Sequence, residues 1–195
     1  MTNTIVQTTR GATEDAFLDA AERLLVSVGH AGITTRRLAQ EAGANHGLVH
    51  YYFGSMENLL ARVLERFTGR LVERQRAMYA AEDVPFADKW RAAMRYLDAD
   101  RDYQKVWYEL QALAWNRPEL RERVAHVTDE WRAVLTDAFA GPRERYGLDM
   151  PLEALVSLVI TFNEGIILER LSGVEAGHAA LLEFIDGWLT GRDGR

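Results

Sequence analysis

The segment from Ile33 to Leu59, ITTRRLAQEAGANHGLVHYYFGSMENL, limits the possible folds more than any other part of the chain. Thr34 precedes a helix-forming stretch, where its hydroxyl can accept a hydrogen bond from an unpaired backbone N–H. Gly43 follows the last apolar residue of that stretch, a position that suits a left-handed helix cap. Asn45 can then cap a second short helix. Two short helices joined by a glycine-containing turn are typical of a helix-turn-helix motif, whose second helix enters the major groove of DNA.

The two predicted helices divide their side chains between a packing face and an outward face. The residues expected to pack inward are Leu38, Ala39 and Ala42 on the first helix, and Leu48, Val49 and Tyr52 or Phe53 on the second. Arg36 and Arg37 stand at the start of the first helix, where they can reach phosphates. The candidate DNA-contacting residues are Thr34, Thr35, Arg36, Arg37, Asn45, His46, Gly47, Leu48, His50, Tyr51 and Tyr52.

The same stretch resembles the tetracycline-repressor (TetR) family of transcription regulators. The family pattern is a helix led by Thr, then LA..AG, a capping residue, a small residue, an aromatic ending and GS.E.L. The matching residues are Thr34, Leu38, Ala39, Ala42, Gly43, Asn45, Gly47, Tyr51, Tyr52, Phe53, Gly54, Ser55, Glu57, Leu59 and Leu60. The preceding AFLDAAERLLVSVGHAG resembles the first helix of the family, so the likeness covers roughly residues 14–60.

Two positions depart from the family pattern. The family commonly has a lysine where Met56 stands, and often a tyrosine where His50 stands. Loss of a basic residue at Met56 removes a phosphate contact, which would weaken binding to nearly all DNA sequences and lower the salt slope by about one. The histidine at position 50 changes the side chain available for base or phosphate recognition.

The resemblance and the helical rhythm together imply an all-α protein of about nine helices. We expect a flexible N-terminal arm at 1–12, a three-helix DNA-binding domain at 13–54, and a ligand-binding and dimerisation domain at 55–195. The last of these begins with a linking helix at 55–80, capped by Ser55. The other helices are expected near 13–29, 85–99, 102–116, 118–140, 151–171 and 175–190, with Gly141-Pro142 separating two of them.

The net charge of −6 is unevenly distributed. Residues 1–70 carry seven arginines and seven acidic residues, so this segment is neutral. The remainder carries sixteen basic and twenty-two acidic residues, which accounts for the whole excess. The acidity therefore belongs to the part that is not expected on DNA. It can oppose non-specific attachment to DNA, or it can simply form a solvated surface.

The last two predicted helices indicate a homodimer. The helix at 152–171 is apolar around nearly its whole circumference, so it must be buried on more than one side. The candidate interface residues are Leu155, Val159, Ile166, Leu182, Ile185, Trp188 and Leu189. Burial within one chain is the alternative. A twofold dimer would place its recognition helices about 34–36 Å apart, or near a multiple of that spacing, which predicts a near-palindromic operator.

The middle of the chain is unusually aromatic and predicts a pocket for an apolar or aromatic small molecule. The candidate pocket residues are Trp90, Met94, Trp107, Leu110, Trp131, Phe162 and Glu164. For any one of them, ordinary core packing is the alternative. Glu109, Asn163 and Glu164 are candidate polar contacts for a ligand, and Glu164 can equally face a partner arginine at the interface.

The sequence gives little support for an enzyme, a metal-binding protein or a membrane protein. The chain has no phosphate-binding glycine loop, G-x-S-x-G or HExxH motif, so we expect no catalytic site and no cofactor. His46 and His50 have the spacing of half a metal site, but no nearby third ligand is apparent at a suitable spacing, and we assign no metal. The absence of cysteine fits the cytoplasm, and neither a signal peptide nor a membrane span is apparent.

These observations predict a DNA-binding transcription regulator, a repressor that a small molecule releases from its operator. One alternative is a small-molecule-binding α-helical protein whose DNA-binding head is weakened or lost. The neutral charge of residues 1–70 and Met56 favour that alternative. Another is an α-helical enzyme that uses the aromatic pocket.

Overall fold

The computed structural model describes the backbone of residues 2–193 and the side chains of residues 11–193. Over this range the chain forms nine α-helices and no strand, which confirms the all-α fold class. The helices are α1 (Thr2–Val28), α2 (Thr35–Ala42), α3 (Gly47–Phe53), α4 (Met56–Ala80), α5 (Phe86–Ala99), α6 (Arg101–Ala114), α7 (Pro118–Arg145), α8 (Leu152–Leu171) and α9 (His178–Asp193). A short 3-10 turn, His30–Gly32, lies between α1 and α2.

Two helix boundaries differ by more than three residues from the sequence prediction. α1 begins at Thr2, so the described part of the predicted arm is helical in its backbone; Met1 lies outside the described residues. A helix whose later turns are packed into a core can extend past its anchored part, because each further turn needs no new nucleation. α7 runs through Pro142 instead of ending before it. Tyr146 explains the extension, because its N–H bonds to the Pro142 carbonyl and its side chain is buried in the core.

The chain divides into two compact units that do not follow chain order. Unit 1 contains Met1–Gly69 and Asp102–His126, and unit 2 contains Arg70–Arg101 and Val127–Arg195. Nearly all of α6 and the first part of α7 therefore belong to the unit that carries α1 to α3. The helix α4 is continuous and contributes its first half to unit 1 and its second half to unit 2.

The core of unit 1 forms where the buried faces of α2, α3 and α4 pack around α1. Phe17 of α1, Leu38 of α2 and Leu64 of α4 are fully inaccessible to solvent, and Val49 of α3 is 1% exposed. Phe17 also lies against α3, with its ring 6.1 Å from that of Phe53 in an edge-on arrangement. These contacts hold α2 and α3 at a defined position on α1. A smaller cluster of α4, α6 and α7 residues, Ala61, Ala114 and Leu120, adds to the same unit.

The core of unit 2 is a single aromatic and aliphatic cluster formed by α5, α7, α8 and α9. Its buried members are Phe86, Ala87, Trp90, Leu135, Phe139, Tyr146, Leu155, Val156, Val159 and Leu189. Polar contacts reinforce the pairing of α5 with α9. Arg91 Nε donates to Asp186 at 2.5 Å, and the Ala87 N–H donates to Asp193 at 2.7 Å. Because the side chain of Asp193 satisfies an N–H in the first turn of α5, it acts as a cap supplied from another helix.

Candidate nucleic-acid interface and effector cavity

The first helix of the predicted motif is capped at both ends as its sequence indicates. Thr34 has an extended backbone, and its hydroxyl oxygen accepts the Arg37 N–H at 3.1 Å. At the other end Gly43 adopts φ 63° and ψ 30°, and its N–H reaches the carbonyls of Ala39 and Gln40. A side chain at this left-handed position would be strained. The two caps fix the length of α2 and the direction in which the chain leaves it.

The second helix starts from an asparagine turn. The side-chain oxygen of Asn45 accepts the Gly47 N–H at 2.9 Å, and its carbonyl accepts the Leu48 N–H at 3.0 Å. Asn45 thus forms the turn that leads into α3, whereas His46 occupies the cap position and makes no side-chain cap, so the prediction of an Asn45 cap is wrong. At the far end, His50 Nδ1 lies 3.1 Å from the Gly54 carbonyl. When Nδ1 carries the proton it donates to that carbonyl, which leaves Nε2 as an acceptor.

Most of the predicted DNA-contacting residues are exposed on or next to α2 and α3. The exposed ones are Thr34, Arg36, Arg37, Asn45, His46, Gly47, His50 and Tyr51, whereas Thr35, Leu48 and Tyr52 are half-buried. Tyr51 is 63% exposed and packs edge-on against Tyr52, with ring centroids 5.1 Å apart. Val49 and Phe53 are buried. An aromatic residue this exposed on a short, well-anchored helix is available for contact with a partner.

Several acidic side chains of unit 1 form ion pairs with arginines. The pairs are Arg62–Glu14 at 2.5 Å, Arg66–Asp19 at 2.7 Å, Arg66–Glu22 at 2.8 Å, Arg23–Glu41 at 2.7 Å and Arg123–Glu65 at 3.2 Å. Among the described residues, no carboxylate lies within 4.0 Å of the Arg36 or Arg37 guanidinium. The neutral segment therefore still presents the cations Arg36 and Arg37 on α2, because five of its seven acidic residues are paired with other arginines.

Met56 is the first residue of α4 and is half-buried. Ser55 caps this helix, with its hydroxyl oxygen 3.1 Å from the Asn58 N–H. His46 and His50 are both exposed, and within the described residues no group of three histidine, aspartate or glutamate side chains is arranged to hold a metal ion.

Glu109 has a different environment from the one that the sequence suggested. Its carboxylate accepts the His30 N–H at 2.6 Å, which ties α6 to the turn after α1. A Cβ on Gly29 would lie only 2.8 Å from this carboxylate, and Gly29 also has φ 70°. The positive φ favours glycine at position 29, and a Cβ there would also force the Glu109 carboxylate to shift. Glu109 is not a ligand contact in the cavity; it anchors α6 within unit 1.

Unit 2 contains an apolar cavity of about 220 Å³. Its walls come from α5, α7, α8 and α9 and from the segment that follows α7. The lining residues are Phe86, Trp90, Phe139, Pro142, Arg143, Tyr146, Leu148, Leu155, Leu158, Val159, Phe162, Ile185, Trp188 and Leu189. Six of these side chains are aromatic, and Arg143 is the only charged residue among them. A concave, apolar, aromatic-lined space is typical of a small-molecule site.

Only part of the predicted pocket lies at this cavity. Trp90 and Phe162 line it, while Met94 and Trp131 pack against the surrounding cluster. Trp107 and Leu110 belong to unit 1, where Leu110 is fully buried. Glu164 is half-buried on α8 and is not among the lining residues. Trp107, Leu110 and Glu164 do not line this cavity, because periodicity identifies the apolar face of a helix but not the unit against which that face packs.

The end of α4 lies directly behind the cavity wall. The Tyr79 ring stacks on Phe86, with centroids 6.2 Å apart, and lies 6.1 Å from the ring of Phe139. Lys89 Nζ donates to the Tyr79 carbonyl at 2.7 Å, which satisfies a carbonyl in the last turn of α4. Burial raises the pKa of the Tyr79 phenol above its ordinary value. Sequence reasoning missed this contact, because Tyr79 and Phe139 are far apart in the chain.

The predicted interface residues lie mostly inside the chain. Leu155, Val159, Ile166 and Leu189 are 4–8% exposed, and Leu182, Ile185 and Trp188 are half-buried against the cluster. The first four are already covered by their own chain, so they offer little surface to a partner. The exposed apolar side chains of α8 and α9 are instead Leu158, Leu168, Leu181 and Phe184, with exposures of 42–70%. We call these four residues the α8–α9 face.

None of the helices in the described range has the length and apolar character needed to cross a membrane.

A capped helix pair with an exposed second helix, carried on an all-α chain, defines a DNA-binding protein of the helix-turn-helix class. Sequence comparison supports this assignment. A family model described as "Bacterial regulatory proteins, tetR family" matches residues 17–63, and one described as "Tetracyclin repressor-like, C-terminal domain" matches residues 81–191. The chain therefore belongs to the TetR family of transcription regulators, as its sequence motif predicts.

Two curated relatives are transcriptional regulators named BetI. The protein of Rhizobium meliloti is 34% identical over 70 residues, which are 36% of this chain and 34% of the relative. BetI 1 of Chromohalobacter salexigens is 27% identical over 123 residues, which are 59% of this chain and 58% of the relative. The matched region thus spans between one third and three fifths of these relatives.

A solved structure shows the same fold over nearly the full length. The transcriptional regulator FadR of Bacillus subtilis, in complex with stearoyl-CoA, matches with a TM-score of 0.71 at 15% identity. The match covers 89% of this chain and 96% of that chain.

Proposed function

We propose that this regulator is a homodimeric repressor that binds a near-palindromic operator in double-stranded DNA and leaves it when a small apolar or aromatic molecule occupies the cavity. The observation that carries the proposal is the exposure of two sets of side chains: His46, His50 and Tyr51 at α3, and the cations Arg36 and Arg37 on α2. Side chains on the second helix of this motif contact base edges, and arginines beside it neutralise phosphates.

The α8–α9 face supports the dimer. Four large apolar side chains exposed on two neighbouring helices are a feature that monomeric proteins rarely keep in water. A second copy of the same face can cover them through a twofold axis, which makes the contact self-complementary. In such a dimer two recognition helices act together, so the operator should carry two half-sites of opposite orientation.

Tyr79 supports a physical link between the cavity and DNA binding. A ligand that displaces Phe86 or Phe139 would also displace the last turn of α4, because the three rings are packed together. The first residue of the same continuous helix, Met56, comes only three positions after the end of α3. Ligand and DNA would then favour different positions of α4, and such a difference in affinity is what release by a ligand requires.

We propose no catalytic role for the cavity, since no carboxylate or histidine that could act as acid or base is among its lining residues. A bacterial DNA-binding regulator works where the chromosome is, and we therefore place the protein in the cytoplasm.

DNA binding can be tested directly by fluorescence anisotropy and by selection from a random-site library. We expect sequence-dependent and salt-sensitive binding to an inverted repeat. Replacing both Arg36 and Arg37 with glutamine should weaken binding to all sequences, whereas the exposed Arg121→Gln serves as a control of equal charge change per site. If the wild-type protein selects no common sequence and binds DNA independently of salt, the proposed function is wrong.

A further inference from the structure

His50 lies on the exposed side of α3, which consists of Gly47, His50 and Tyr51 at helical spacing. Val49 and Phe53, also at helical spacing, are buried and hold the helix in unit 1. Glycine has no side chain, so His50 and Tyr51 supply the side-chain groups on this side of α3. The proposed function places this side against DNA, and the role inferred for His50 rests on that function.

The His50 ring is held by the residue that ends α3. Its Nδ1 lies 3.1 Å from the Gly54 carbonyl oxygen. Gly54 also donates its N–H to the main-chain carbonyl of His50 at 2.9 Å. The backbone of Gly54 has φ 72°, a conformation that favours glycine. One residue is therefore tied to both the backbone and the side chain of His50, which restricts rotation of the ring.

This contact determines which ring nitrogen carries the proton in the neutral side chain. A carbonyl oxygen only accepts hydrogen bonds, so Nδ1 must be the donor, since two lone pairs would otherwise face each other. Nε2 of the neutral ring then carries a lone pair and no proton. Among the residues whose side chains are described, none is a hydrogen-bond partner of Nε2, and His50 is exposed. His50 therefore presents a positioned hydrogen-bond acceptor on the exposed side of α3.

A hydrogen-bond acceptor discriminates among the groups that DNA displays. Phosphate oxygens are acceptors themselves, so they cannot donate to Nε2. The donors in the major groove are the exocyclic amines, N6 of adenine and N4 of cytosine. Guanine and thymine present only acceptors and a methyl group there. The acceptor at His50 therefore matches a base that carries an amine and does not match guanine or phosphate.

A protonated imidazole has the opposite preference. Its Nε2–H donates, so it pairs with phosphate oxygens or with N7 and O6 of guanine. A His50 side chain that only stabilises the end of α3 has no specific partner on DNA. The three possibilities therefore differ in which single group of the operator depends on His50.

We propose that neutral His50 is a base-reading residue, which accepts a hydrogen bond from the amine of one adenine or cytosine in each operator half-site. The arginines Arg36 and Arg37 supply attraction to the backbone that is independent of sequence, and His50 adds discrimination at one base pair. A single neutral hydrogen bond corresponds to a change in affinity of roughly threefold to tenfold. With two half-sites, the effect is about tenfold to a hundredfold.

Base analogues that lack only the amine test this role. Selection from a random-site library first gives the operator. Adenine is then replaced by unsubstituted purine, and cytosine by the pyrimidinone without the amine, one symmetric pair of positions at a time. Fluorescence anisotropy measures binding of the full-length protein at about pH 8, above the range in which imidazole usually titrates.

We expect one symmetric position at which loss of the amine weakens binding of the wild type by about tenfold to a hundredfold. The same analogue should change the affinity of His50→Ala little, because the acceptor is already absent. The analogue that shows this dependence identifies the base as adenine or cytosine. Deazaguanine without N7, and methylphosphonate in place of single phosphates, should affect wild type and His50→Ala equally.

Two further variants separate base reading from other contributions. Arg36→Gln should weaken binding to every duplex and keep the full dependence on the amine, because it removes a phosphate contact. His50→Gln carries an amide oxygen that accepts hydrogen bonds, so it should keep part of that dependence. Circular dichroism and unfolding temperature establish that each variant folds.

The inference is wrong if no amine shows a dependence on His50, if His50→Ala loses as much affinity as the wild type with each analogue, or if the dependence belongs to N7 of guanine or to a phosphate. Salt-sensitive binding of the wild type to an inverted repeat would still support the proposed function in each of these cases. If the selection yields no common sequence, the proposed function fails and the role of His50 fails with it.

Discussion

Replacement of Phe184 gives the sharpest test of the dimer, because this residue is the most exposed apolar side chain of the α8–α9 face. It is 70% exposed in the single chain. A phenylalanine buries about 150–250 Å², so roughly 140 Å² of Phe184 is available to a partner. At about 25 cal/mol per Å², full coverage would contribute about 3.5 kcal/mol. Alanine keeps the Cβ, and a partner covers the side chain only in part. We therefore expect Phe184→Ala to lose about 2 kcal/mol of association free energy per copy.

A twofold interface contains two copies of each side chain, so the variant loses the contribution twice. The sum of about 4 kcal/mol corresponds to an increase of about a thousandfold in the dimer dissociation constant. Sedimentation equilibrium over a wide range of protein concentration measures this constant directly. We expect the variant to become monomeric at concentrations where the wild type is a dimer, and to bind a single half-site as tightly as one wild-type head does.

Trp115 provides the matched control. It follows α6 in unit 1, is 73% exposed and lies outside the α8–α9 face. Trp115→Ala therefore removes an equally exposed aromatic side chain without changing the proposed interface. An unchanged dissociation constant for Phe184→Ala, or an equal increase for Trp115→Ala, would contradict the assignment of the dimer to this face.

Three further predictions concern the DNA-binding unit and the cavity wall. Thr34→Ala removes the cap of α2 and should lower the free energy of unfolding by about 1 kcal/mol, whereas Thr34→Asn should retain most of it; chemical denaturation distinguishes the two. Arg36→Gln should reduce the slope of log binding constant against log salt by about one, and an unchanged slope would show that Arg36 makes no phosphate contact. The raised pKa of Tyr79 means that the folded protein favours the neutral phenol, so its contribution to stability is complete below the ordinary tyrosine pKa of 10.0 and decreases as the pH rises above it. Tyr79→Phe should therefore remove part of the alkaline loss of stability in pH-dependent unfolding, and an identical pH profile for variant and wild type would refute this.

The local structure of the DNA-binding motif follows from its sequence because each of its signals acts over a few residues. The cap at Thr34, the left-handed glycine at position 43 and the asparagine turn at 45 use groups that are neighbours in the chain. The alternation of buried and exposed positions also follows directly from the helical period. For the same reason, the all-α class and most helix boundaries could be predicted.

The cavity and the exposed face of α8 and α9 required the tertiary structure. α8 is apolar around most of its circumference, so its sequence contains no marker that separates the side facing its own core from the side facing solvent. The structure places Leu155 and Val159 inside and leaves Leu158 more than half exposed. Likewise, Trp90 and Trp107 have the same helical context, but their helices belong mainly to different units.

The sequence by itself determined the helix-turn-helix motif, its caps and its family, because these depend on short-range spacing. Only the tertiary structure decided that Glu109 anchors α6 to the turn after α1, that Tyr79 stands behind the cavity wall and that Arg143 is its one charged residue. Each of these contacts joins residues from distant parts of the chain or depends on how several helices meet. Hydrophobic periodicity specifies which face of a helix is buried, but the packing of whole helices determines which faces meet.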